Sequence, residues 1–218
     1  MSTLRLVMGN KNYSSWSVRP WLLMKQAGIP FEEEQIWLDS PDTVPGIAKY
    51  SPSGRVPVLI DGDIAVWDSL AICEYLAEKF PDRGLWPAAA GARARARAIA
   101  AEMHSGFMAL RESMPMNIRN RHPGAGRNAA VEMDIARVSA IWSECVGASG
   151  GPFLFGDFGI ADAMFAPVVF RFQTYGVVVR GSAQDYARSM LASTALAELA
   201  RRAAAEGHAL AKYDSIYA

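Results

Sequence analysis

Cysteine is nearly absent: Cys73 and Cys145 are the only two, and they stand far apart in the chain. Two such thiols build neither a disulfide framework nor a zinc site by themselves. Histidine is almost as scarce, with only His104, His122 and His208, all beyond residue 90. No Gly-x-Ser-x-Gly elbow occurs either, so a serine-hydrolase reading lacks both its turn and a nearby base. Net charge is missing, with 22 Lys plus Arg against 22 Asp plus Glu. That balance excludes a purely charge-driven binder of nucleic acid and gives no pull toward an anionic membrane. Long apolar runs are missing too. The stretch Ala163 to Phe170 is far shorter than a bilayer span and ends at Arg171. Met1 to Arg5 lacks the apolar core of a signal peptide. These absences point to a soluble, cytoplasmic chain with free thiols.

Apolar residues are plentiful. With 218 residues, 51% of them hydrophobic, the chain buries a real core and does not belong to the disordered class. Its character changes near residue 81. Before that point short apolar runs alternate with helical patterns; after it, alanine-rich helical sequence dominates. Phe80 to Pro87, with two prolines and a glycine, reads as a linker. The expected organisation is a first domain over 1–80, a linker over 81–90 and a second domain over 91–218.

In the first domain Leu4 to Met8 reads as a strand. Val18 to Ala27 reads as a helix stopped by Gly28-Ile29-Pro30. Phe31 to Leu38 is a weaker strand. Val58 to Ile60 and Ile64 to Trp67 flank Asp61-Gly62-Asp63 as a hairpin. Asp68-Ser69 then starts a helix whose apolar face is Ile72, Tyr75, Leu76 and Phe80. The order β-α-β then β-β-α predicts a parallel pair around a crossover helix, extended by an antiparallel hairpin. The second domain reads as an all-α bundle, with helices near 91–113, 128–147, 161–175, 183–192 and 194–206. In its alternating Ala92 to Arg97 segment, Arg93 and Arg97 share a solvated face.

Four local features carry chemistry. The loop Asn12 to Pro20 follows the first strand and opens a helix, the place where α/β sheets bind ligands. A serine hydroxyl there donates to an anion beside the helix N-terminus; the plain alternative is simple N-capping. Gly54-Arg55-Val56-Pro57 leads into a buried strand. A cis bond before Pro57 leaves the Val56 backbone facing outward; the plain alternative is an ordinary strand-entry proline. Trp67-Asp68-Ser69 opens a helix with a carboxylate for an ammonium and a hydroxyl plus N–H for a carboxylate, or else simply caps it. Gly159 to Asp162 reads as a half-formed capping box, a structural feature.

In this order and spacing the four features resemble the glutathione S-transferase superfamily, bacterial serine-type and similar to zeta-like members, over nearly the whole chain. The resemblance implies a thioredoxin-like α/β domain followed by an all-α C-terminal helical bundle. It implies glutathione as co-substrate, no metal, and a homodimer. Ser14 or Ser15 would donate to the glutathione sulfur, with Trp16 beside it. Val56, presented by Pro57, would pair with the cysteinyl backbone. Arg55 would meet a glutathione carboxylate, and Asp68 and Ser69 would take the γ-glutamyl ammonium and carboxylate. The implied reaction is conjugation of the thiolate to a small electrophile, a detoxification chemistry. A free thiol is only a few per cent ionised near neutrality, so the hydroxyl and the helix terminus raise the reactive fraction.

Two departures from the family pattern stand out. Trp16 occupies a mid-loop place where relatives often have Cys or Pro, and it reshapes the electrophile side. Gly159 replaces the usual Ser or Thr. The electrophile pocket is expected between the domains, walled by His104, Met108 and Arg111 on one face of a continuous helix, a set suited to an acidic or aromatic substrate. Structural roles for that His and Arg at the domain interface are the plain alternative. Two other functions remain open: a zeta-like cis-trans isomerase of the maleylacetoacetate type, and a non-catalytic glutathione-binding regulatory member.

Overall fold

The structure is a computed structural model and describes residues 3–217. Strand β1 (Leu4–Met8) pairs in parallel with β2 (Phe31–Gln35) and antiparallel with β3 (Val58–Asp61), which carries β4 (Ile64–Trp67). The sheet order is β2-β1-β3-β4. Helix α1 (Val18–Gln26) makes the crossover, and α3 (Ser69–Lys79) follows the hairpin, both packed against each other. Alternation along β1 assigns the two faces. Leu4, Leu6 and Met8 join the main core with Trp21 and Leu76, while Val7 joins Val58, Ile36 and Ile47 on the other side. Ile47 belongs to a short helix, α2 (Thr43–Ala48), which the sequence pattern does not predict. That helix contains Pro45 and Gly46 and buries a single residue, so it carries no helical period to detect.

Helices α4 (Ala90–Ser105), α5 (Met108–Ser113), α6 (Ala129–Ser149), α7 (Ile160–Tyr175), α8 (Ser182–Ala192), α9 (Thr194–Ala204) and α10 (Ala211–Asp214) complete the described chain. The architecture is the expected thioredoxin-like unit followed by an all-helical one. Helix α7 is buried along almost its whole length and packs on α1, α4 and α8, so it joins both units. Its start is tied to the linker, where the Leu85 carbonyl accepts from Ile160 N–H at 3.0 Å. A Cβ on Gly159 would stand 2.9 Å from that carbonyl oxygen, which explains glycine in place of a capping Ser or Thr. Only the carboxylate half of the capping box therefore forms, with Asp162 Oδ2 accepting from Gly159 N–H at 2.9 Å.

One expected helix is two. The reading over 91–113 as a single helix fails at Gly106 and Phe107, where Phe107 takes φ 59°. A Cβ at Gly106 would lie 2.8 Å from the Glu102 carbonyl oxygen, so the chain passes there only as glycine. The turn separates His104, in α4, from Met108 and Arg111, in α5, so His104 shares no helical face with them.

Candidate functional site

The loop between β1 and α1 is held from within. Ser14 Oγ donates to Ser17 Oγ at 2.8 Å, and Ser17 Oγ accepts from Gly9 N–H at 3.0 Å. Neither serine caps α1 through its side chain; they clip the loop to the end of the strand instead. Ser15 is equally shielded, 7% exposed like Ser14, yet its hydroxyl makes no hydrogen bond among the described residues and lies on the wall of a cavity. The two serines are thus distinguishable: one is tied into the loop, the other is free to donate.

Tyr13 precedes them and is fully engaged. Its hydroxyl donates to Asp214 at 2.8 Å and accepts from Arg119 at 2.5 Å and from Leu210 N–H at 3.2 Å. Glu206 accepts from the Lys11 and Asn12 amides at 2.6 and 3.0 Å. The C-terminal segment therefore straps the loop, and Tyr213 stacks on Tyr13 with ring centroids 5.6 Å apart.

The Val56–Pro57 peptide is cis. Val56 N–H and C=O have no hydrogen-bond partner among the described residues. Arg55 is exposed and forms no ion pair there. Asp68 takes φ 75°, a conformation costing a non-glycine residue on the order of 1–3 kcal/mol. Its Oδ1 caps α3, accepting from Leu70 and Ala71 N–H at 2.9 and 3.2 Å, while Oδ2 meets His104 Nε2 at 3.1 Å. Ser69 is buried, and its Oγ accepts from Arg19 Nη1 at 3.2 Å. The Ser69 hydroxyl proton is left for another acceptor.

Trp16 connects these groups. Its ring meets the His104 ring edge-on at 5.2 Å and lies under the guanidinium carbons of Arg19 at 4.4 Å and Arg111 at 4.8 Å. A cavity of about 330 Å³ is lined by Ser14, Ser15, Trp16, Met108, Arg111 and Arg171 among others. Ser14, Ser15, Trp16, Met108 and Arg111 are thus brought together. His104 does not line the cavity; its ring reaches the group through Trp16 and its carbonyl through Arg111. Arg55, Val56, Pro57, Asp68 and Ser69 lie outside this lining, Asp68 and Ser69 being linked to it through His104, Arg19 and Trp16.

Electrostatics around the cavity are one-sided. Arg19 is wholly buried, with Nε and Nη2 unpaired. Arg171 is 4% exposed, and among the described residues its one hydrogen bond runs from Nε to the Met114 carbonyl at 2.8 Å. Arg111 folds back on α4, giving its Nε and Nη2 protons to the carbonyls of Gly106, Met103 and His104. Burial, then repulsion from Arg111 and Arg171, pulls Arg19 down to about 9; burial with Arg111 pulls Arg171 to about 10. Both remain cations at neutral pH. Burial also lowers His104, although Asp68 opposes the shift. Cys73, buried behind Arg19, is pushed up to about 12 by desolvation and is inert as a thiol. Among the described residues no His, Cys, Asp and Glu cluster is placed to hold a metal, and no helix is long and apolar enough to cross a membrane.

Tyr13 and Arg19 lie inside the loop singled out by sequence but without a role there, and Arg171 and Tyr213 lie outside every motif. Arg171 has a legible signal, a lone cation inside an apolar helix; the tyrosines have none, because their partners lie some two hundred residues away.

Residues 13–79 match the family described as glutathione S-transferase, N-terminal domain, and residues 97–202 match glutathione S-transferase, C-terminal domain. Among curated relatives, glutathione S-transferase 1 of Dianthus caryophyllus is 31% identical over 158 residues, 71% of each chain. A probable maleylacetoacetate isomerase of Caenorhabditis elegans is 30% identical over 158 residues, 72% of each. A dichloromethane dehalogenase of Methylorubrum extorquens is 43% identical, but over only 65 residues, 29% of this chain and 23% of that protein. A solved glutathione transferase homologue from Burkholderia with bound glutathione has a TM-score of 0.72 at 23% identity, covering 94% of this chain and 100% of its own. With matches in both halves, the chain belongs to the glutathione S-transferase family.

Proposed function

We propose that the protein is a glutathione transferase in which Ser15 donates a hydrogen bond to the glutathione sulfur. The free Ser15 hydroxyl, held on the cavity wall while Ser14 is bound to Ser17, is the observation that carries this reading. The groups outside the cavity suit the rest of a γ-glutamyl tripeptide. The unpaired Val56 backbone fits a cysteinyl amide, Arg55 fits a terminal carboxylate, and the Ser69 hydroxyl and Asp68 fit the γ-glutamyl end. The surrounding cations add to thiolate stability, since an anion near unpaired guanidinium groups is favoured in a shielded site. The thiolate attacks the electrophilic carbon and forms a C–S bond. The leaving group departs with its electron pair, and the thiol proton goes to solvent. A homodimer in the cytoplasm and a detoxifying role are part of the same reading.

Two measurements test it together. Calorimetry is expected to show glutathione binding to the wild type, and a chloronitrobenzene substrate is expected to consume one glutathione per product. No binding of glutathione removes the transferase reading in favour of a non-catalytic family role. The relative named as a probable maleylacetoacetate isomerase supports a second reading, glutathione-dependent cis-trans isomerisation. Recovery of all glutathione after turnover of an unsaturated cis acid distinguishes it from conjugation.

A further inference from the structure

We propose that the cavity selects electrophiles that carry a carboxylate, with Arg171 and Arg111 as the residues that hold it. Across the whole molecule the charges are equal. Elsewhere in the fold the shielded side chain of Lys11 finds a carboxylate: Glu33 takes it at 2.8 Å, and takes the half-buried Arg202 at 2.5 Å. Around the cavity this pairing stops. Among the described residues no carboxylate pairs with Arg19, Arg111 or Arg171, and Asp68, the acid nearest this cluster in its contacts, is taken by His104 and by the α3 amides.

Burying an unpaired cation is costly, and three together repel. A protein with an even supply of acids has easy ways to neutralise such a cluster. Leaving it open, with two of the three guanidinium groups on a cavity wall, is the arrangement of a site completed by an anionic ligand. Arg171 is suited to grip: packing on α7 fixes it, one bond to Met114 orients it, and its terminal nitrogens are unused. Arg111 is fixed by the α4 carbonyls and still lines the cavity. Arg19 adds charge from behind Trp16.

The remaining wall matches the rest of such a molecule. Trp16, Tyr213, Met108 and Met116 offer flat and polarisable surface to an unsaturated or aromatic carbon frame, and Ser15 stands on the same wall. The carboxylates of glutathione itself do not fill this role, because Arg55 and Ser69, which suit them, lie outside the cavity. The inference rests on the transferase reading for turnover, but its binding part can be tested without turnover.

The test compares 4-chloro-3-nitrobenzoate with its methyl ester, which differ in charge at the same reacting carbon. Binding of each to the full-length protein is followed by tryptophan quenching, with and without glutathione. Catalysed rates are divided by the uncatalysed rates. The acid is expected to bind at least about tenfold more tightly than the ester, and more weakly as salt rises. Arg171→Met is expected to cut the acid-to-ester ratio about tenfold or more, and Arg171→Lys to restore part of it. Equal binding of acid and ester by the wild type overturns the proposal, even if the Met variant does not fold. So does a ratio unmoved by a folded Arg171→Met. If glutathione does not bind but the acid still wins, the carboxylate site stands and the transferase reading fails. Conjugation that favours the ester overturns the carboxylate site and leaves the transferase reading intact.

Discussion

A single hydrogen bond separates the roles of two neighbouring serines. Ser14 gives its proton to Ser17, so Ser14→Ala loosens the loop but leaves the proposed thiol donor in place. Ser15→Ala removes a hydrogen bond to an anion, an interaction of roughly 1.5–3 kcal/mol. Its kcat/KM for conjugation is expected to fall by about 10- to 100-fold, and that of Ser14→Ala by less; equal losses would show that the assignment is wrong. Another residue-scale prediction concerns Asp162. Burial raises its carboxyl to about 6, although Leu154 and Gly159 N–H oppose the shift. A group whose folded value exceeds its unfolded value contributes stability at low pH that is lost as pH rises through about 6. Asp162→Asn lacks this response and leaves one buried N–H unpaired, a penalty of about 1–3 kcal/mol. Denaturant titrations should find the variant weaker at neutral pH and the gap wider near about pH 5. A gap independent of pH contradicts the assignment.

At the scale of elements, most of the fold is legible in the chain itself. Strands β1, β3 and β4 announce themselves by apolar runs and a tight Asp-Gly turn, and α7 by the apolar stretch Ala163 to Phe170. Two places escape for opposite reasons. Helix α2 has too little apolar periodicity to be seen. Helices α4 and α5 share so continuous a helical pattern that the break at Gly106 is hidden. The break is local: Gly106 ends α4 with its N–H on the Glu102 carbonyl and Phe107 turns the chain at φ 59°, a glycine stop that the apolar period running on across it masks. Because a Cβ at Gly106 would crowd the Glu102 carbonyl, Gly106→Ala is expected to destabilise the protein by roughly 1–3 kcal/mol, read as a lower denaturant midpoint. An unchanged midpoint would mean that the turn accommodates a methyl group. The C-terminal strap is equally hidden, because Asp214 binds Tyr13, Asn117 and Arg119 across long sequence separations. Asp214→Ala should speed amide exchange over residues 205–217 and raise the electrophile KM, since Tyr213 leaves the cavity wall. Undiminished protection in that segment would show that the strap is held elsewhere.

For the molecule as a whole, the zero net charge conceals an uneven distribution. The four sequence features lead to the family because each is local: a loop, a proline, a cap and a half-formed capping box. What makes the cavity particular is not local. Arg19, from the start of α1, stands beside Trp16 by sequence, but Arg111 from α5 and Arg171 from α7 come to the same cavity only through the packing of the two units. Trp16, an obstacle in the loop by its bulk alone, touches Arg19, Arg111 and His104 and so links the cavity wall to Asp68 and Ser69. In the proposed transferase this assembly favours the thiolate, with Ser15 as its direct donor. Ultraviolet titration of glutathione bound to the wild type, Ser14→Ala and Ser15→Ala reads the ionisation of the thiol itself. The bound thiol is expected to ionise well below its solution value in the wild type and Ser14→Ala, and to shift back toward that value in Ser15→Ala. A bound thiol that titrates as it does in solution, or one unmoved by Ser15→Ala, would refute the role given to Ser15.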